Sequence, residues 1–296
     1  MRSRYRGRFA PSPTGPLHFG SLVAALASWL DARAAGGEWL VRIEDVDAPR
    51  TVAGAAQAIL DMLQTLGLAW DGEVMWQSRR SDIYEAALRR LLGEGRLYAC
   101  RCSRREIEDS APHGIEGAIY PGTCRALGLD ACGAVALRAL AQDETIRFED
   151  RVQGSIAQNV ARDIGDFVLK RRDGLHAYQL AVVVDDAQQG ITDVVRGADL
   201  LWSTPRQIAL QRWLGLPTPR YLHVPTAVDA KGHKLSKQTL AAAIDAANAS
   251  EALAQALHFL GQTPAPSRRP AEMLALATRH WSVADIPRVR EKHAPL

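Results

Sequence analysis

Pro11–Ser21 reads PSPTGPLHFGS and runs without a break into LVAALASWL. A surface turn needs one or two residues of special backbone preference, whereas this link crowds prolines and glycines around a histidine, His18. It is either an elaborate connector or a backbone shaped around a ligand. The preceding RYRGRFA has the makeup of a short strand. Leu22, Leu26, Trp29 and Leu30 recur at helical spacing, and Gly36 with Gly37 supplies a stop. EWLVRIEDVD then reads as a buried strand ending in carboxylates. Strand, loop, helix and strand in this order predict a right-handed parallel crossover. The fold class expected is α/β, a Rossmann-type doubly wound parallel sheet.

The 296 residues allow one large domain or several smaller ones, with length enough for a sizeable core. Apolar residues make up 47% and charged residues 23%, as in an ordinary soluble protein. A net charge of +3 permits a nucleic-acid partner without demanding one. The N-terminal MRSRYRGRFAPSP lacks the apolar segment of a secretory signal. No apolar run approaches the roughly 18 residues of a membrane span. A cytoplasmic monomer without membrane contact is expected.

Two helical stretches follow the crossover, AGAAQAILDMLQTLGL and RSDIYEAALRRLLGEG. Residues 99–160 break the regularity with cysteines, glycines and prolines, as an inserted module would. DFVLKRRDGLHAYQLAVVVDDAQQGITDVVRG reads as strands separated by turns. Beyond residue 200 the chain is alanine-rich and helical in pattern, with GQTPAPSRRP as a loop. The divisions expected are a first Rossmann half over 1–98, the insert over 99–160, a second half over 161–225, and a loop with a helical C-terminal region over 226–296.

In a doubly wound sheet, ligands sit where a strand feeds a helix N-terminus, whose free N–H groups suit a phosphate. Gly20 lets backbone approach such a ligand, and His18 can donate to a phosphate oxygen. The plain alternative is that His18 caps a turn. A second segment, KGHKLSKQ at Lys231–Gln238, tips the balance. Alone it looks like a solvated charged loop. Together, HFGS (His18–Ser21) and KLSKQ (Lys234–Gln238) resemble the HIGH and KMSKS motifs of class I aminoacyl-tRNA synthetases. The resemblance implies ATP binding, with Mg2+ carried on the nucleotide, by His18, Gly20, Ser21, Lys234, Ser236 and Lys237. It makes His18 and Lys237 the catalytic residues, Lys237 neutralising phosphate charge as pyrophosphate leaves.

RFAPSPTGPLHFGS, VRIEDVD, AYQLAVVVDD and GITDVVRGADL are similar to the glutamyl branch of that family. The resemblance places L-glutamate among Arg8, Ala10, Ser12, Glu44, Tyr178 and Arg196. The chemistry agrees: two arginines can bond two carboxylates, Glu44 can hold the ammonium, and Tyr178 adds a neutral hydroxyl. The plain alternatives are surface ion pairs for Arg8 and Arg196 and a structural partnership of Glu44 with Arg42. Two departures stand out. The branch often has Asn where this chain has Val182, which removes an amide contact to the substrate. The branch also continues into a helical anticodon-reading domain, whereas this chain ends at Leu296, so no anticodon-binding domain is expected. This pattern resembles a short group within the branch that activates glutamate with ATP and esterifies it to the queuosine base of tRNA(Asp). The rivals are a minimal synthetase charging a tRNA 3′ end, a nucleotidyltransferase of the wider superfamily with a small-molecule acceptor, and a non-catalytic tRNA-binding or partner protein. The basic clusters Arg79-Arg80, Arg101 with Arg104-Arg105, and Lys170-Arg171-Arg172 offer themselves to a tRNA backbone, although most such clusters are merely solvated.

Cys100, Cys102 and Cys124 cluster in the insert, too few for a disulfide framework and suited to zinc as thiolates. The resemblance implies Tyr120 as the fourth ligand of one structural Zn2+, on the local pattern IYPGTCR. Cys132 and His113 remain rivals on simple chemistry.

Overall fold

β1 (Arg6–Phe9), α1 (Phe19–Ala34) and β2 (Glu38–Ile43) form the expected crossover, the two strands pairing in parallel with Arg8 opposite Leu40. The structure, a computed structural model, describes residues 4–108, 111–114, 117–235, 243–263 and 267–295. On α1, Leu22, Leu26 and Leu30 are fully buried, and Ala25, Ala27 and Ala32 let neighbours approach closely. The helix stops at Gly36, whose φ of 62° favours glycine. Gly37 is required by space, since a Cβ there would lie 2.5 Å from the Tyr5 carbonyl oxygen.

The chain continues through α2 (Ala55–Thr65), β3 (Met75–Trp76), α3 (Ser81–Gly93), β4 (Leu97–Cys100), α4 (Arg104–Glu108), β5 (His113–Gly114), β6 (Gly117–Ala118) and β7 (Ala136–Ala139). Next come β8 (Thr145–Asp150), β9 (Gly154–Asn159), α5 (Val160–Asp163), β10 (Phe167–Lys170), α6 (Tyr178–Gln188), β11 (Asp193–Gly197), α7 (Thr204–Trp213) and β12 (Arg220–Val224). β13 (Thr226–Val228), α8 (Ala249–Phe259), α9 (Pro270–His280) and β14 (Glu291–His293) follow.

β3 pairs with β2 and β12 with β11, all in parallel. Main-chain bonds join the two groups: Thr192 N–H donates to the Arg6 carbonyl at 2.9 Å, placing β11 beside β1. The parallel strands therefore run β3-β2-β1-β11-β12, and the direction of winding reverses between β1 and β11. This is the parallel α/β sheet expected. A second, antiparallel sheet of β4, β7 and β10 stands apart from it. β10 begins beyond residue 160 and pairs with β7, while the β8–β9 hairpin returns to the parallel sheet through Asp150 opposite Tyr221.

One reading of the sequence is corrected. AYQLAVVVDD was expected among strands, and it forms α6 instead. Three consecutive valines favour a strand locally. Leu180, Ala181, Val182 and Val183 are each almost wholly buried, however, and a helix buried on successive positions satisfies its backbone internally while packing on every side. The helix also brings Asp185 and Asp186 to buried arginines. A first core surrounds α1 and includes Leu253, Leu257 and Phe259 of α8 and Met273 of α9; Phe19 meets Phe259 edge-on at 5.7 Å. A second core packs α3, α6 and α7 against β4, β7 and β10.

Candidate active site

A cleft of about 1060 Å³ opens beyond the carboxyl ends of β1, β2, β11 and β12. Every expected glutamate and ATP residue among the described residues lines it: Arg8, Ala10 and Ser12 from the first strand and its loop, then His18, Gly20 and Ser21, then Glu44, Tyr178, Arg196 and Lys234. Ser236 and Lys237 lie outside the described residues.

The Pro/Gly loop is pinned by two main-chain bonds, from Glu44 N–H to the Pro11 carbonyl and from Val52 N–H to the Pro13 carbonyl, both 2.9 Å. His18 is the N-cap of α1, its Nδ1 accepting from Ser21 N–H at 3.3 Å. With Nδ1 accepting, Nε2 carries the proton and donates to Ser21 Oγ at 2.9 Å. His18 thus caps the helix and faces the cleft at once. Gly20 shows why the second motif matters, because a Cβ there would lie 3.3 Å from the Leu235 carbonyl oxygen. The absence of a side chain lets Leu235 lie close against the helix N-terminus, and Lys234 beside it pairs with Asp199.

Arg8 is 3% exposed, so its partner is no surface group. Asp186 takes it bidentately, Nε to Oδ1 at 3.0 Å and Nη2 to Oδ2 at 3.2 Å. Arg42, fully buried, donates to Asp186 and Gln189 through Nη1 at 2.7 Å each and to Glu44 through Nη2 at 3.1 Å. Glu44 is therefore both a partner of Arg42 and a wall of the cleft. Burial pushes its carboxyl up, against the opposing pull of Arg42 and Arg8. Asp186 ends lower than usual: burial would raise it, but Arg8 and Arg42 outweigh that. Asp186 was not singled out in the sequence. Its signal lay in VVVDD, whose acids look like a strand end until the segment is known to be helical.

Arg196 is 5% exposed and also not a surface ion pair. Its Nη1 donates to the Tyr178 hydroxyl at 3.2 Å, and its Nη2 to Thr204 Oγ1 and Gln207 Oε1 at 2.8 Å each. Val182, one turn beyond Tyr178, belongs to the second core and does not line the cleft, so its side chain acts on packing. Several basic clusters are structural. Arg80 bonds Asp185, Lys170 bonds Glu85, Arg171 bonds Asp47 and Asp173, and Arg172 bonds main-chain oxygens of Ala134 and Arg101.

In the insert, the sulfurs of Cys100, Cys102 and Cys124 lie within 4.8 Å of one another. The Tyr120 oxygen sits among them, 3.3 Å from Cys100 Sγ and 3.6 Å from Cys102 Sγ, and accepts from Cys124 N–H at 2.9 Å. Three sulfurs and one phenol oxygen converging in this way fit a closed tetrahedral zinc shell. Burial would raise the Cys124 thiol, yet bonds from Tyr120, the Arg101 backbone and the neighbouring thiols bring it down to about 7. Cys132 is exposed on a turn and His113 is exposed on β5; neither belongs to this group. Cys102 also lines the cleft, so the cysteine cluster, remote in sequence from HFGS, adjoins the same cavity.

Fold and cleft together define a class I tRNA synthetase catalytic domain. The family described as "tRNA synthetases class I (E and Q), catalytic domain" matches residues 4–272. A glutamate–tRNA synthetase of Elizabethkingia anophelis shares the fold, with a TM-score of 0.80 and 23% identity over 98% of this chain and 68% of that one. Curated relatives named glutamyl-Q tRNA(Asp) synthetase are much nearer in sequence. The one from Thiobacillus denitrificans is 57% identical over 286 residues, 95% of this chain and 94% of the relative. The one from Dechloromonas aromatica is 57% identical over 294 residues, 97% of each chain. The chain belongs to the glutamyl-Q tRNA(Asp) synthetase family.

Proposed function

We propose that the protein activates L-glutamate with ATP, carried with Mg2+, to glutamyl-adenylate and transfers the glutamyl group to the queuosine base of tRNA(Asp). The observation that carries this reading is the cleft itself. The HFGS helix N-terminus meets Leu235 at Gly20, Lys234 lines the same cleft, and two buried arginines with Glu44 face the same space. The relatives' name supports the substrate and the acceptor.

Arg8 and Arg196 take the two carboxylates of glutamate. Asp186 occupies the Nε and one Nη2 hydrogen of Arg8 and leaves its Nη1 for the substrate. Glu44 takes the ammonium, Tyr178 orients the backbone of the amino acid, and Ala10 and Ser12 form the floor. The α-carboxylate, already ionised at neutral pH, attacks the α-phosphorus of ATP and pyrophosphate leaves. No general base is needed, so catalysis rests on positioning and on stabilising charge. His18 turns the Nε2–H it shares with Ser21 toward a phosphate oxygen, the α1 N-terminus adds its dipole, Lys234 and Lys237 neutralise the leaving pyrophosphate, and the Ser236 hydroxyl adds a hydrogen bond. A hydroxyl of the acceptor then attacks the carbonyl of the mixed anhydride, AMP leaves, and the hydroxyl proton passes to solvent.

Cys100, Cys102, Cys124 and Tyr120 would hold one structural Zn2+, which would supply a cross-link between residues distant along the insert. No described helix is long and apolar enough to cross a membrane. Glutamate-dependent ATP–pyrophosphate exchange tests activation, and glutamate transfer to tRNA(Asp) with and without queuosine tests the acceptor. Transfer is expected only with queuosine. Equal transfer to both tRNAs places the glutamyl group elsewhere, and exchange without glutamate refutes the amino-acid assignment.

A further inference from the structure

Behind Arg196 lies a buried pair to which the mechanism above gives no part. His223 stands on β12 and Asp150 closes β8, and both side chains are fully buried. His223 Nδ1 lies 2.6 Å from Asp150 Oδ2. Asp150 Oδ1 is anchored by the main-chain N–H groups of Val152, Gln153 and His223 at 3.0, 2.9 and 3.2 Å. On the far side of the ring, Nε2 lies 3.0 Å from Arg196 Nε.

An arginine Nε–H can only donate, so Nε2 must accept and the imidazole proton must reside on Nδ1, directed at Asp150. Burial, aided by the charge of Arg196 and opposed by Asp150, brings the imidazole down to about 4, which keeps it neutral and able to accept. We infer that Asp150 and His223 form a positioning dyad that orients the Arg196 guanidinium for a carboxylate of the amino acid. This rests on the reading of Arg196 as a glutamate ligand.

The hydrogen count of the guanidinium makes the role specific. Of its five N–H groups, Nε–H goes to His223, both Nη2 hydrogens to Thr204 and Gln207, and one Nη1 hydrogen to Tyr178. One Nη1 hydrogen has no acceptor among the described residues, and Arg196 lines the cleft. Removing the acceptor behind Nε leaves a buried N–H unpaired, so the guanidinium shifts against its remaining partners Tyr178, Thr204 and Gln207 and carries that hydrogen off line. The tautomer matters as much as the ring. An amide in place of Asp150 can donate to Nδ1, which moves the proton to Nε2 and sets two donors against each other at Arg196.

The experiment has a kinetic arm and a spectroscopic one. In ATP–pyrophosphate exchange, His223→Phe and Asp150→Asn are expected to raise KM for glutamate about 10-fold or more, the usual weight of a hydrogen bond to a charged group. KM for ATP should stay within about twofold, the scatter expected when a site is not coupled to the change. His223→Gln, whose amide oxygen can replace Nε2 as acceptor, should recover most of the affinity. Imidazole ¹⁵N spectra of the unaltered protein at neutral pH should show His223 neutral and protonated on Nδ1, the signal being assigned by its loss in His223→Gln. Protonation on Nε2, or a parallel rise of both KM values, or equal losses in the Phe and Gln variants, overturns the inference. If the unaltered protein supports no glutamate-dependent exchange, the function proposed above fails, while the tautomer still reports on the dyad.

Discussion

Asp186 holds two guanidinium groups on one carboxylate, and each arginine has a different task. Arg8 faces the cleft, whereas Arg42 reaches back to Glu44. Asp186→Asn leaves both arginines short of charge in a buried place. Breaking such a network is expected to cost about 3–5 kcal/mol in urea unfolding. The same change should raise KM for glutamate, because Arg8 loses its bidentate support. The pH dependence has a definite sign. The folded Asp186 carboxyl lies below its ordinary value of 3.8, so its contribution is complete above 3.8 and is lost as pH falls through the lower folded value. Asp186→Asn should therefore flatten that acid limb. Glu44 shifts the other way, its carboxyl lying above the ordinary 4.5. Protonating it removes the charge proposed above to hold the substrate ammonium. KM for glutamate should thus climb on acidification at a higher pH than an ordinary glutamate would dictate, with KM for ATP flat over the same range. A rise that persists unchanged in Glu44→Gln would assign the titration to another group.

At the scale of elements, legibility followed locality. The β1–α1–β2 crossover was readable because Leu22, Leu26 and Leu30 repeat within one helix and Gly36–Gly37 ends it. α6 was not, because its valine run carries a local strand preference that packing on every side overrides. The residues expected to bind glutamate came from motif resemblance, while the groups that hold them in place were missed. Arg8 meets Asp186 across 178 positions and Arg42 meets it across 144, separations at which no pattern in the sequence records a contact. His223 and Asp150 were missed for the same reason, being 73 positions apart. In the insert, the C-x-C pair and Cys124 were legible as a cluster, but the fourth donor was a choice among Tyr120, Cys132 and His113. The geometry brings the Tyr120 oxygen among the sulfurs and leaves the other two exposed. Purified protein is accordingly expected to carry about one zinc per chain, as a closed shell holds a single ion. Tyr120→Phe should weaken retention against a chelator by about 10-fold or more, and chelation should lower the melting temperature. Cys132→Ser should leave stoichiometry and melting unchanged; loss of zinc in that variant would move the fourth ligand to Cys132.

Across the whole molecule, the cleft joins two bodies of different construction. One wall is the parallel sheet with α1, braced by α8 and α9. The other includes Cys102, Ser103, Arg104 and Ile107 of the insert, with Arg138 beneath. That continuity puts the adenylate within reach of whatever the insert binds, although HFGS and the cysteines are far apart in the sequence. A tRNA reaching the cleft from the insert side meets Arg104 at the start of α4, exposed on the rim. Arg80, Lys170, Arg171 and Arg172 are already occupied by acids or main-chain oxygens, so they are poorer candidates for a phosphate. Arg104→Glu should therefore leave glutamate-dependent exchange intact, since Arg104 lies on the insert wall and outside the set proposed for glutamate and ATP. Transfer to tRNA should weaken, with a salt dependence shallower by about one unit of slope, the signature of a single lost phosphate contact. Equal losses in exchange and transfer would show that Arg104 supports the cleft itself. Unchanged transfer would mean that Arg104 makes no contact with the bound tRNA.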